Sequence, residues 1–395
     1  MRITFNRPKK SHVLIIDEVG SAFLSEHVLN EIDHTILPIR GEKYFFNPKI
    51  IIRFLLIYLK KLFHRIILRK DLWDLGPLRA YALACIYYIN PKIVLTFIDN
   101  NPVFYWLSDK YTSATFFAIQ NGSRVMNKKM DYSSRDLDRL LLQFIKEDGK
   151  KIHYISFGTL ESSFYKKYGA NIKKYYPVGS VKGSHYRYNI IQKSPHIKYT
   201  LCLISQYRKN IMNGSSYPEF KNSLQILESF VLKFIQETGV SLCIALASEE
   251  QEEFNYFANK FGKQATIIKN KKELFTTYEI MSKSEVILSF NSTAAIEAFG
   301  WGKKILLCNY SKDPIWGYTF CDICTTNTIN YNHFKNKLQS LLDMNSELYV
   351  TTTKEDQKYM MNYNPKIPVP QFLRDTILET LKELDFNYDK NQNKN

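Results

Sequence analysis

Short apolar runs alternate with longer amphipathic stretches along most of this chain. Ser11–Asp17 (SHVLIID) has an unbroken apolar centre and predicts a buried strand, after which a Gly-Ser turn enters the amphipathic EVGSAFLSEHVL. HTILPI, Lys92–Ile98 (KIVLTFI), ATFFAIQ and IHYISFG predict further strands. Helical patterns lie between them: residues 48–69, GPLRAYALACIYYIN closed by Asn90-Pro91, NPVFYWLSDKY and DLDRLLLQFIKE. Apolar runs too short for helices, separated by amphipathic helices, are the pattern of βα units on a parallel sheet.

The alternation lapses at Tyr175–Lys198, a stretch rich in Gly, Ser and Pro, and then restarts. YTLCLIS, SLCIALAS, ATIIK, SEVILSF and KKILLCN predict strands, with SLQILESFVLKFIQETG, EEQEEFNYFANKFG and KELFTTYEIMSKS as helices between them. The expected organisation is an N-terminal Rossmann-like domain over 1–180, a linker over 181–198 and a C-terminal Rossmann-like domain over 199–370. A helix and a disordered tail complete it over 371–395. The length of 395 residues suits two domains. Open α/β sheets bind ligands at the carboxyl ends of their strands, so two facing sheets make one interdomain cleft and the strand ends become the residues of interest.

EVILSFNSTAAIEAFGWGKKILLCN (Glu285–Asn309) shows what such an end carries. A strand breaks at Asn291, Ser292 and Thr293, and a helix begins there. Its first N–H groups lack intrahelical partners and carry partial positive charge, which suits a phosphate. Ser292 or Thr293 would cap the helix. Glu297, one turn on, would accept hydrogen bonds from the two hydroxyls of a ribose; the competing reading is an ordinary capped helix with a surface Glu. LISQYRKN places Ser205 and Gln206 at the next strand end, with Arg208 near enough to neutralise phosphate. In the first half LIIDEVGSAF presents Glu18, Gly20 and Ser21, TFIDNNPVF presents Asp99, and FAIQNGSR presents Gln120 and Asn121. Glu18 or Asp99 would be the cleft carboxylate, acting as a base or a nucleophile. PVGSVKGSHYR brings Gly179, Ser180, Lys182 and His185 to the cleft from the linker.

Net charge is +16, and Lys43–Lys70 holds eight Lys/Arg with no acidic residue. Ile, Leu and Phe are interspersed with those charges, so the Lys49–Lys70 helix suits an anionic membrane surface. A core helix whose charges snorkel outward would show the same pattern. Nucleic acid is not the expected partner, because the stretch is too apolar and no nucleic-acid-binding motif appears. No apolar run reaches the roughly 18 residues that span a bilayer, and no secretory leader is evident. The expectation is a cytoplasmic protein, peripheral at the inner face of the membrane. Of six cysteines only Cys321 and Cys324 form a CxxC, without the second pair a zinc site needs. Asp136 and Asp138 of SRDLD fall on a helical pattern, so no metal site and no cofactor are expected.

VLIIDEVGSAFL, VLTFIDNNPVFYWLS, FFAIQNGSR, FGTLESSFYKKYG, YYPVGSVKGSHY and SEVILSFNSTAAIEAFGWGKKILLCN, taken in order, resemble the bacterial surface carbohydrate biosynthesis proteins, a group similar to GT-B glycosyltransferases. The resemblance spans residues 11–320. It implies two Rossmann-like domains with parallel sheets facing a cleft, an acceptor held by the first domain and a nucleotide-sugar donor held by the second. Ser292, Thr293 and Glu297 match the donor-site Ser-Thr…Glu segment, and Gly179-Ser180 match the VGS that ends the first domain. A CMP-linked ulosonic acid is the donor class the resemblance implies, and a surface polysaccharide or lipid-linked glycan the acceptor. Asn291 stands where Ser is common, and a His-Pro motif of the sialyl- and Kdo-transferase type is absent. The function expected is metal-independent glycosyl transfer, with Gln120 and Asn121 orienting the acceptor. A nucleotide-sugar epimerase and a non-catalytic scaffold of a polysaccharide assembly complex are the rival readings.

Overall fold

The structure is a computed structural model describing residues 2–39, 43–68, 76–123, 152–189, 196–214, 217–271, 275–311, 316–318, 320–364 and 366–392. The helical pattern DLDRLLLQFIKE, with Asp136 and Asp138, lies outside them.

Among the described residues, eight strands belong to the first half: β1 (Arg2–Thr4), β2 (Val13–Ile16), β3 (His34–Leu37), β4 (Lys43–Phe45), β5 (Ile93–Thr96), β6 (Thr115–Ile119), β7 (Ile152–Ser156) and β8 (Lys174–Pro177). Six of them form a parallel sheet in the order β3-β2-β5-β6-β7-β8, while β1 and β4 pair as a separate short ribbon. Every position of β2, β5 and β7 is buried, as expected of strands covered by helices on both faces. The second half contributes β9 (Tyr199–Ile204), β10 (Leu242–Ala245), β11 (Ala265–Ile268), β12 (Ser284–Ser289), β13 (Lys304–Cys308) and β14 (Thr325–Thr326). They are parallel in the order β11-β10-β9-β12-β13-β14.

In each sheet the strand order reverses once, between β2 and β5 in the first and between β9 and β12 in the second. Loops leave in opposite directions at such a point and open a crevice at the strand ends. Hydrogen bonds brace both crevices. Asn101 Nδ2 donates to Asp17 Oδ2 (2.9 Å) across the first. Gln206 crosses the second, donating from Nε2 to Asn291 Oδ1 (2.5 Å) and accepting from Asn291 N (2.9 Å).

The lobes join differently from the sequence expectation. Within Tyr175–Lys198, Lys174–Pro177 is the half-exposed edge strand β8, and Val181–Asn189 is a helix rather than irregular linker. The chain then returns: Asn362 N donates to Phe157 O (2.7 Å) and Val369 N to Ser184 Oγ (2.8 Å). The Val369–Gln392 helix lies on the first lobe, where Arg374 donates to the carbonyls of Val28 and Asn30. That helix runs through Gln392, so most of the tail expected to be disordered is helical.

Candidate active site between the lobes

A cavity of about 520 Å³ opens between the lobes at the crevice of the second sheet. The first lobe supplies Gly20, Phe23, Glu26 and His27; the Val181–Asn189 helix supplies Lys182; the second lobe supplies Ser205, Leu246, Ala247, Asn270, Phe275, Tyr278 and Ser292. Gly20, Lys182, Ser205 and Ser292 are therefore the sequence-chosen residues that line it directly.

Each is placed by local chemistry. Ser292 is the N-cap of the Thr293–Gly300 helix, its Oγ accepting from Ala294 N (3.3 Å). Gly20 sits at φ 77°, and a Cβ there would lie 2.3 Å from the Phe97 ring. Its missing side chain thus makes room for Phe97 as well as for the cavity. The Lys182 ammonium stands 5.3 Å from the Phe97 ring centroid and 5.9 Å from that of Phe23, a cation over aromatic faces at the cleft wall. Ser205 is buried and donates to Glu253 Oε1 (2.5 Å). The Glu253 carboxylate also accepts from Ala247 N (2.8 Å), Ser248 N (3.0 Å) and Ser248 Oγ (2.6 Å), so one buried anion shapes the strand ends of both β9 and β10. Ser248 and Glu253 bracket the start of the Gln251–Phe261 helix, whose N-cap is Glu250.

Glu297 stands one step behind the cavity. It is 5% exposed, its Oε1 accepts from Ser180 Oγ and its Oε2 from Tyr278 OH (2.8 Å). Burial pushes its carboxyl above the ordinary value, against the opposing pull of the two hydroxyls and Lys182. Its two oxygens tie the hinge to Tyr278 rather than facing the cavity. Gly179, at φ 99°, packs on the ring of Tyr363. His185 stacks on His27 across the cleft with ring centroids 3.9 Å apart, and Phe23 and Phe275 flank the pair. Burial, then the neighbouring His27, pushes the His185 imidazole down to about 4.

Other sequence-chosen residues have different surroundings. Asp99 is 1% exposed, and its carboxylate accepts from Tyr154 OH (2.7 Å) and Asn121 N (3.3 Å), so it faces the protein interior. Gln120 is equally buried, donating to Glu161 Oε1 (2.7 Å) and Gly122 O (2.9 Å) and accepting from Phe157 N (2.8 Å). It ties β6 to β7. Glu18 is exposed on the turn before the first helix, and Ser21 is buried with its hydroxyl donating to Glu18 O (2.7 Å). Arg208 is exposed, with its guanidinium 5.7 Å from the Phe220 ring centroid. Asn121 is exposed at the loop whose next residues reach the other lobe. There Thr293 Oγ1 accepts from Ser123 N (3.0 Å), and Ser123 Oγ meets Tyr318 OH (2.6 Å).

The wall residues Phe23, Glu26, His27, Phe275 and Tyr278 were not singled out from the sequence. Phe23, Glu26, His27 and Tyr278 sit on helices and Phe275 just before the start of one, where an aromatic or charged position reads as packing or solvent. The cavity combines the Lys182 ammonium, the capped start of the Thr293–Gly300 helix, an aromatic wall and an ionisable Glu26-His27 pair, with His27 Nε2 3.7 Å from Glu26 Oε1. That set suits a ligand with an aromatic ring, a phosphate and a hydroxylated part.

No protein-family model matches the sequence, and no curated protein matches it. Solved structures do. The wall teichoic acid polymerase TagF aligns with a TM-score of 0.55 at 10% identity, over 95% of this chain and 90% of that one. A Listeria monocytogenes protein named for UDP-N-acetylglucosamine 2-epimerase gives 0.53 at 14%, over 93% and 95%. Sucrose-phosphate synthase of Thermosynechococcus elongatus gives 0.51 at 10%, over 98% and 100%. These neighbours have the GT-B fold, and the two parallel Rossmann-like sheets of this chain form the same fold.

Proposed function

We propose that this protein is a glycosyltransferase taking its sugar from a nucleotide-activated donor held in the interlobe cavity. The observation that carries the reading is the convergence of Lys182 and the Ser292-capped helix start on one cavity with Phe275 and Tyr278. The base would lie along the aromatic wall, and the phosphate between Lys182 and the first turn of the Thr293–Gly300 helix. The leaving nucleotide gains negative charge as the glycosidic bond breaks, so a fixed cation and helix dipole stabilise the transition state more than the ground state. Glu297 acts as a positioning residue through Tyr278 and Ser180.

On the acceptor side, His27 lines the cavity and would take the proton of the attacking hydroxyl, with Glu26 beside it to stabilise the imidazolium. Glu26 and His27 thereby replace Glu18 and Asp99 as the ionisable groups facing the reaction. A surface polysaccharide or lipid-linked glycan as acceptor, and a CMP-linked ulosonic acid as donor, rest on the sequence resemblance. The same two ionisable groups would also suit proton transfer at a sugar carbon, the chemistry of a nucleotide-sugar epimerase.

Calorimetry with UDP, CMP, CDP and GDP tests the binding reading. One nucleotide is expected to bind, and Lys182→Ala to weaken it by about 10- to 100-fold, the loss of a charge-assisted contact of roughly 1.5–3 kcal/mol. No binding by any of the four at millimolar concentration would overturn it. Incubating the matching nucleotide sugar without acceptor separates the chemistries: transfer leaves the sugar unchanged, whereas epimerisation converts it.

A further inference from the structure

The Pro48–Leu68 helix is apolar on two opposite sides. Ile50, Phe54 and Ile57 point into the first lobe, with Ile50 fully buried. Ile52, Leu55, Leu56, Leu59 and Phe63 occupy the other side, within an arc of roughly 100° at 3.6 residues per turn. All five are exposed; Leu56 and Phe63 each stand 63% open. The β1–β4 ribbon beside the helix start adds exposed Ile3, Phe5 and Phe46, the two rings meeting edge to face at 5.7 Å.

Charge borders this apolar face along one side. Lys49, Arg53 and Lys60 fall on one flank of the helix by the same geometry. Lys49 and Arg53 open onto a groove of about 590 Å³ shared with Arg7, Lys10, Tyr87 and Tyr88. Among the described residues, no carboxylate lines that groove. The Arg53 guanidinium lies 4.7 Å over the Tyr87 ring, and the Lys10 ammonium 5.9 Å over that of Tyr88. Aromatic stems hold the cations at the border between apolar surface and water. Among the described residues, no helix is long and apolar enough to cross a membrane.

We infer that this face docks on an anionic phospholipid bilayer. The exposed Leu and Phe side chains enter the headgroup–acyl boundary, and a lipid phosphate seats in the groove of Arg7, Lys10, Lys49 and Arg53. An apolar face bordered by cations matches that boundary in polarity and in sign of charge. An apolar partner protein would account for the Leu and Phe stripe but not for a groove lined by Arg7, Lys10, Lys49 and Arg53. This inference does not depend on the chemistry in the cleft.

The full-length protein is floated with vesicles of phosphatidylcholine alone and of equal parts phosphatidylcholine and phosphatidylglycerol. Binding is expected to the anionic vesicles and to weaken with salt. Lys49→Gln with Arg53→Gln should reduce it by about fivefold per charge. Leu56→Glu with Phe63→Glu, at exposed positions that leave the fold intact by circular dichroism, should reduce it at least about tenfold. Absence of binding to anionic vesicles, equal binding to neutral ones, or indifference to Leu56→Glu with Phe63→Glu would each overturn the inference. So would a concentration-dependent dimer that this double variant abolishes, since the face would then cover a second copy.

Discussion

Substituting Gly183 tests how the hinge is packed. Gly183 lies in the Val181–Asn189 helix, and a Cβ added there would stand 2.2 Å from the Tyr363 hydroxyl and 3.3 Å from the ring carbon that bears it. The ring has no room to swing aside, because it also lies 2.4 Å from a Cβ on Gly179 and 2.8 Å from one on Gly300. Three glycines thus form a slot for one tyrosine. Gly183→Ala overpacks that slot at a cost of about 1–3 kcal/mol. Alanine's better helix propensity returns about 1 kcal/mol, so the net destabilisation is about 0–2 kcal/mol. Among the described residues the buried Tyr363 hydroxyl has no partner in good hydrogen-bond geometry, so Tyr363→Phe forfeits little. It removes the atom at 2.2 Å and leaves the carbon at 3.3 Å, a contact that a shift of a few tenths of an ångström relieves. The double variant should therefore recover most of the loss, with a coupling of about 1–2 kcal/mol. Urea unfolding of the wild type, both single variants and the double variant measures this cycle. Additivity within about 0.5 kcal/mol would refute the slot.

Two further perturbations separate structure from chemistry. Asp99→Ala leaves the Tyr154 hydroxyl and Asn121 N–H without their carboxylate and should destabilise the first lobe by about 2 kcal/mol or more; a stable Asp99→Ala protein that had lost only turnover would restore Asp99 as a catalytic carboxylate. His153 is 8% exposed, and burial followed by Lys173 and Lys174 pushes its imidazole down from 6.5 to about 4. Above pH 6.5 it is neutral in both states. As pH falls from 6.5 to 4 the unfolded chain binds a proton that the fold refuses, so stability declines by up to about 3 kcal/mol over that window. His185 adds to the decline in the same direction. His153→Phe should flatten the pH dependence of the unfolding midpoint between those values, and an unchanged slope would show that His153 titrates normally.

Local pattern was enough for the sheets. Val13–Ile16 and Ile93–Thr96 had to be buried on both faces, and unbroken apolar runs of that length have few other places in a soluble fold. The Ser292 cap was equally legible, because the orphan N–H groups of a helix start select Ser within one turn of sequence. β8 escaped notice because an edge strand is covered on fewer sides and Lys174–Pro177 has no apolar run to betray it. The wall of the cavity escaped for a different reason. Phe23 and Phe275 come from different lobes, His27 and His185 from the first lobe and the connecting helix, and no spacing along the chain records a distance across a cleft. The strand-end carboxylate Asp99 showed the converse error: its position at a strand end was readable, but Tyr154, 55 residues on, turns it inward. Sequence determined which segments are strands and helices, because hydrophobic burial and helix capping act over a few neighbouring residues. Tertiary structure alone decided which polar ends face the cavity, because that depends on which side chains from distant segments satisfy them first.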